Sequence, residues 1–159
     1  MPDTKPEPQP GLKVEGSSLD SLYYKFSSIQ KRIVTPVNIC NTFIDQPKNS
    51  TEDALWDTGA TISAITPKLV KDLGFIPTGT MAISGITGVL DVEFILAAIQ
   101  LPGGILRQNI KMAVCDFSQN INIILGMDII TLGDFELLHG NNSTVFSFTS
   151  PPSAKIKLM

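Results

Sequence analysis

The chain alternates short apolar runs with turn residues, the texture of a β protein. "IVTPVNICNTFI" is rich in β-branched residues and reads as a strand, with Pro36 marking an edge or a strand start. The polar "DQPKNSTED" reads as a turn, after which "ALW" returns as a strand, and "TISAI" is a second short apolar segment. "TPKLVKDLG" is the best-marked helix: Thr66 suits the N-cap, Pro67 the first turn and Gly74 the exit. "IPTGTMAISGITGV" is punctuated by glycine and predicts a hairpin with its tip at Gly79 to Gly88. "LDVEFILAAIQL" and "LRQNIKMAVC" are longer strands joined by Pro102-Gly103-Gly104. "INIIL" predicts a buried strand that stops at Gly126, and "MDIITL" one or two helical turns ended by Gly133. "DFELL" and "TVFSF" predict a last hairpin that closes the sheet.

Ahead of these strands, Leu19, Leu22, Tyr23 and Phe26 recur at helical spacing, with Ile29 one turn further and Ser18 as a candidate N-cap. That stretch reads as a short amphipathic helix or, alternatively, as an extended arm. The expected division is a disordered proline-rich tail over 1–17, the arm over 18–32, a folded domain over 33–149 and a flexible tail over 150–159. No internal repeat is visible. The fold class is all-β, a small closed barrel with one or two short helices.

Composition narrows the function. The 159 residues suit one domain with a core that needs no staples, and a net charge of -3 without a basic stripe argues against nucleic acid. Cys40 and Cys115 have no metal-like spacing and read as reduced, packed thiols. His139 is the only histidine and reads as the end of a strand running into a turn. The opening "MPDTKPEPQPG" has neither the basic nor the apolar region of a secretory signal, and no segment is apolar enough to span a bilayer. A cytoplasmic location without a membrane partner is therefore expected. The sequons at Asn49 and Asn142 read as polar turns.

The chemistry centres on "ALWDTGATISAI". A strand that ends in Asp57 carries a carboxylate out of an apolar run, where a charge is costly unless hydrogen-bonded, paired or used. Thr58 supplies a hydroxyl for a neighbouring backbone group, and Gly59 leaves room for a close approach. Taken alone, the tripeptide also fits an Asx-type turn after a strand. Its surroundings favour function: a well-capped helix follows, and far downstream comes "NIILGMDIITLG", with the glycine-rich hairpin between the two.

Two apolar residues before Asp57-Thr58-Gly59-Ala60, a glycine-bearing hairpin, and Ile124-Leu125-Gly126 before a short helix together resemble the retropepsins, single-domain aspartic proteases of retroviral type. The resemblance covers roughly Val34 to Phe148. It implies a retropepsin-type barrel over 33–149 and hydrolysis of polypeptides through a water held between two aspartates, with no metal or organic cofactor. It implies that Asp57 is catalytic, that Thr58, Gly59 and Ala60 form the scaffold of the motif, and that Ile124, Leu125 and Gly126 support the site. Met81, Ile83, Ser84, Gly85 and Ile86 would belong to a lid over the substrate, and the apolar Met81, Ile83 and Ile86 suggest apolar side chains near the scissile bond. This chain has one Asp-Thr-Gly motif, so the second aspartate must be Asp57 of another copy in a homodimer. Terminal strands often knit such dimers, which makes "TVFSF" near Phe148 a candidate.

Two features depart from the pattern. Retroviral members often place acids after Asp-Thr-Gly-Ala and Arg after the downstream glycine; here stand Thr61, Ile62 and Met127, so both halves of an ion pair are missing together. Trp56 places a bulky ring beside the aspartate; strand alternation turns it away, into core or interface, unless it crowds the site. The alternatives to a protease are a catalytically silent retropepsin-fold module that dimerises or binds peptides, and an unrelated small barrel with a chance Asp turn.

Overall fold

A computed structural model of the chain describes residues 20–85, 88–117 and 120–153. Its ten strands are β1 (Asp20–Phe26), β2 (Ile33–Asn41), β3 (Lys48–Trp56), β4 (Ala64–Ile65), β5 (Gly79–Gly85), β6 (Gly88–Gln100), β7 (Leu106–Val114), β8 (Ile123–Leu125), β9 (Asp134–Gly140) and β10 (Ser143–Ser150). Helix α1 (Pro67–Asp72) follows β4, and the single turn α2 (Met127–Ile130) follows β8. The expected all-β architecture with two short helices is what the chain adopts.

Six strands in the order β2-β3-β8-β4-β7-β6 close on themselves through a β2–β6 pairing at Asn38↔Gln100, Ile39↔Ile99 and Cys40↔Ala98. Pro36 lies outside that second pairing, on a stretch of β2 bonded to β3 alone, where its missing N–H costs nothing. β8 runs parallel to β3, with Trp56 opposite Leu125, which sets the aspartate strand beside the Ile-Leu-Gly strand. β6 is long enough to outrun the barrel. Its ladder to β7 begins only at Phe94, while its earlier residues pair with β5 out to Gly85↔Gly88. The glycine-punctuated hairpin therefore projects as an arm. Gly79 sits at the base of that arm rather than at its tip, and a Cβ there would come within 3.0 Å of the Phe94 ring.

The remaining strands form a separate antiparallel sheet in the order β1-β10-β9. This corrects the expectation that the last hairpin closes the main sheet. It also replaces the helix expected near Leu22. Residues 20–26 are a strand, and their burial alternates: Leu22, Tyr24 and Phe26 face the core while Tyr23 and Lys25 face out. β10 offers Phe146 and Phe148 to the same face, opposite Tyr24 and Leu22, and that cross-strand packing outweighs the local helical spacing. β10 has both edges occupied, by β1 and by β9, so the segment near Phe148 is closed to pairing with another chain.

The turn expected at "DQPKNSTED" is shorter than predicted. β3 already starts at Lys48, and its polar half pairs with β2 from Asn41↔Lys48 to Pro36↔Asp53, so the sequon at Asn49 lies in a strand. Local signals did hold at α1: the Thr66 hydroxyl accepts the Leu69 N–H, and Gly74 takes a φ of +66°. The tail over 1–17 lies outside the described residues. Among the described residues, no helix is long and apolar enough to cross a membrane.

Candidate active site

Asp57 is held from both ends. Its N–H donates to the Leu125 carbonyl at 2.9 Å, extending the parallel ladder one residue past β3. Its Oδ1 accepts the Gly59 N–H at 2.8 Å, and its carbonyl accepts the Ala60 N–H at 3.2 Å. The Asx-type turn is thus real, and it uses only one carboxylate oxygen. Oδ2 takes no hydrogen bond among the described residues, and the residue is partly exposed. Thr58 and Gly59 are exposed beside it, and the Thr58 hydroxyl finds no partner within the described chain.

Gly126 lies against this loop. A Cβ there would stand 2.7 Å from the Ile62 carbonyl carbon and 2.8 Å from the Ala60 and Ile62 oxygens, all backbone atoms that cannot swing aside. The close approach lets the Met127 N–H reach the Ala60 carbonyl at 2.8 Å. Leu125 is fully buried behind the site. Ile124, on the other face of β8, joins Met81 and Ile83 of the hairpin in a second apolar cluster around Ala64, Val92 and Ala113. Ser84 and Gly85 are exposed near the hairpin end, and Ile86 lies outside the described residues.

Sequence reasoning missed several neighbours. Ile62, Cys115 and Phe117 belong to the same apolar cluster, but nothing in the linear pattern brings β7 under the hairpin. Ser63 and Asp128 form a polar junction where an ion pair is missing: the Ser63 N–H and hydroxyl donate to the two Asp128 oxygens at 3.0 and 2.7 Å. An acid in the first turn of α2 was a legible sign, since a carboxylate suits a helix start; Ser63 offered none.

Trp56 takes the core position that strand alternation predicts and does not crowd Asp57. It is 5% exposed, its indole N–H donates to the Thr35 hydroxyl at 2.9 Å, and its ring packs against Phe135, Phe146 and Phe148. His139 is engaged within the last hairpin, with Nδ1 3.0 Å from the Thr144 hydroxyl.

Cys40 and Cys115 are free thiols. Burial, and secondarily Asp116, pushes the Cys115 thiol up. A thiol that ionises less readily when folded binds more protons in the native state, so its contribution to stability is complete below the ordinary thiol pKa of about 8.5 and is lost as pH climbs from there toward the folded value. Tyr24, whose phenol burial also raises, acts in the same direction at higher pH. Cys115→Ala is therefore expected to flatten the first part of the alkaline decline in urea midpoint. An unchanged profile would show that the thiol plays no part in it.

The aspartyl protease family matches residues 43–129, a span that includes Asp57, the hairpin and Gly126. No curated protein matches the chain. Among solved structures, the fold is similar to a retropepsin-like aspartic protease from Rickettsia conorii, at 15% identity and a TM-score of 0.53, over 84% of this chain and 97% of that one. It is also similar to the EIAV protease complexed with the inhibitor HBY-793, at 25% identity and a TM-score of 0.50, over 64% of this chain and 88% of that one. With the family match spanning more than half of its length and a closed barrel that carries Asp57 beside Leu125 and Gly126, the chain belongs to the aspartyl proteases, and its fold is of the retropepsin type.

Proposed function

We propose that the protein is a homodimeric aspartic endopeptidase whose reacting groups are the Asp57 carboxylates of two copies. One observation carries this reading: the chain has a single Asp-Thr-Gly, and its Asp57 is partly exposed, with one carboxylate oxygen held and the other without a partner among the described residues. Two carboxylates meeting at a twofold axis cannot both ionise, so the pair shares a proton. The ionised partner draws a proton from a water that attacks the peptide carbonyl, and the protonated partner donates to the carbonyl oxygen. The roles then reverse to expel the amine. Asp57 itself needs no cofactor for these steps. Thr58, Gly59 and Ala60 shape the loop that presents it. The hairpin from Met81 to Gly85 covers an extended polypeptide, whose apolar side chains meet Met81, Ile83 and Ile124. The Trp56 ring lies in the core, which answers one of the two features that favour a silent module; the other is the uncharged flank of Thr61, Ile62 and Met127.

The dimer edge in this reading is β9. It is an outer strand of its sheet, bonded on one side to β10, and it carries Phe135, whose ring is 6.0 Å from that of Trp56, the residue before Asp57. Leu137 and Leu138 on β9 are 39% and 61% exposed. Two copies of β9 paired antiparallel across a twofold form a self-complementary contact.

Cleavage of a mixed peptide library, followed across protein concentration at mildly acidic and neutral pH, tests the reading. Activity should rise faster than linearly at low concentration. Leu138→Lys sets like charges against each other at the axis and should weaken dimerisation by about tenfold or more, equivalent to ~1.4 kcal/mol, with full activity returning at high concentration. A rate linear at every concentration, or no cleavage by protein shown to be dimeric, would count against it.

A further inference from the structure

We propose that Ser63 and Asp128 are positioning residues for Asp57, clamping the loop that follows it onto the segment around Gly126. The inference rests on the reading of Asp57 as an acid–base group. Two backbone bonds already join these segments, from the Asp57 N–H to Leu125 and from the Met127 N–H to Ala60. At the far end of the loop the Ser63 carbonyl accepts the Ala113 N–H at 2.9 Å, which ties it to β7, and the bonds that tie it to the Gly126 segment come from side chains. The Ser63 hydroxyl donates to Asp128 Oδ1 at 2.7 Å and accepts the Gly126 N–H at 3.1 Å, so it relays between the carboxylate and the glycine. The Ser63 N–H donates to Asp128 Oδ2 at 3.0 Å, and the Ile129 N–H donates to Oδ1 at 3.0 Å.

Ser63 is fully buried, and among the described residues its hydroxyl donates to Asp128 and is the acceptor that the buried Gly126 N–H finds. The carboxylate charge matters because it accepts from three donors at once, which a neutral amide cannot do. Thr61, Ile62 and Met127 carry no charge, so a hydrogen-bonded carboxylate serves here where an ion pair is absent. Gly126 touches Ala60 and Ile62 with no space to spare, so a clamp that loosens at Ser63 shifts the loop that carries Asp57. A shared-proton pair tolerates little displacement; an error of about 1 Å costs on the order of a hundredfold in rate.

Asp128→Asn, which is isosteric, and Ser63→Ala, which removes one oxygen, test this. Amide hydrogen exchange at Gly126 and Met127 should accelerate by about tenfold or more in each variant, while exchange at Ile95 and Ile99 in the barrel stays within about twofold of wild type. On a peptide that wild type cleaves, kcat per dimer should fall by roughly ten- to a hundredfold with KM nearly unchanged. The double variant should lose no more than the worse single one, because the two side chains act as a unit. Unaltered exchange at Gly126 and Met127 would overturn the proposal. So would accelerated exchange with wild-type kcat, which would leave the pair a merely structural contact. A wild type that cleaves nothing would sink the protease reading instead, and the exchange comparison would then decide the clamp alone.

Discussion

Asp57→Asn is expected to lower kcat/KM by at least about a thousandfold, a loss of roughly 4 kcal/mol of transition-state stabilisation, with the fold intact. In a homodimer a single substitution removes both carboxylates. An amide neither takes a proton from water nor gives one to the carbonyl, so each acid–base transfer loses its partner. The structural cost is small because the two functions of the side chain are divided between its oxygens. The asparagine carbonyl retains the acceptor for the Gly59 N–H, now 2.8 Å from Oδ1, and its amino group takes the place of Oδ2, which binds nothing in the described chain. The backbone bond to Leu125 is untouched. An asparagine pair carries no charge at the axis and can still hydrogen-bond there, so dimerisation should stay within about tenfold of wild type. Sedimentation and a peptide-cleavage assay on the same samples check both halves. Cleavage that survives in the variant would exclude Asp57 as the reacting group. A variant that is inactive but also monomeric would assign Asp57 to assembly instead.

Trp56→Ala is expected to destabilise the chain by about 3–5 kcal/mol, the usual range for emptying a buried aromatic site. The indole is 5% exposed and its ring centre is 5.0 Å from those of both Phe146 and Phe148. It joins the barrel to the three-stranded sheet, so its loss opens a cavity between the two layers. The Thr35 hydroxyl, fully buried, loses its indole donor as well. Set against a typical total stability of about 5–15 kcal/mol, this is a large share. Trp56→Phe keeps most of the ring contact and gives up the hydrogen bond, so about 1–2 kcal/mol should separate it from wild type. Urea denaturation of the three proteins measures both steps. A loss below about 1 kcal/mol in the alanine variant would mean that the two sheets close without the indole.

The motif chemistry was legible because it is local. Asp57-Thr58-Gly59 needs only its own backbone to form the Asx turn, and a strand ending in that turn delivers a carboxylate whatever the rest of the chain does. The cap at Thr66, the exit at Gly74 and the hairpin turn at Asn141 and Asn142, both at positive φ, belong to the same class. Each is decided by steric limits and hydrogen bonds within a few residues.

What lies beyond those few residues was decided in three dimensions. Residues 20–26 carry apolar side chains at helical and at alternating spacing alike, and only the row of Phe146 and Phe148 on β10 selects the strand. The polar start of β3 becomes a strand because β2 supplies hydrogen bonds to backbone whose side chains have no preference of their own. Barrel closure rests on three pairs between β2 and β6, about sixty residues apart, which no window of the chain contains. The same holds around the site. Cys115 and Phe117 reach Met81 through the sheet, and Ser63 meets Asp128 across 65 positions. That a lone Asp-Thr-Gly stands at the end of a strand in a β protein can be read from the linear chain, because turn and strand chemistry act over neighbours. Which strands are left at the edges, what lines the apolar cluster and what holds the aspartate loop in place follow from the folded chain, because those contacts exist only once strands distant in the chain have paired.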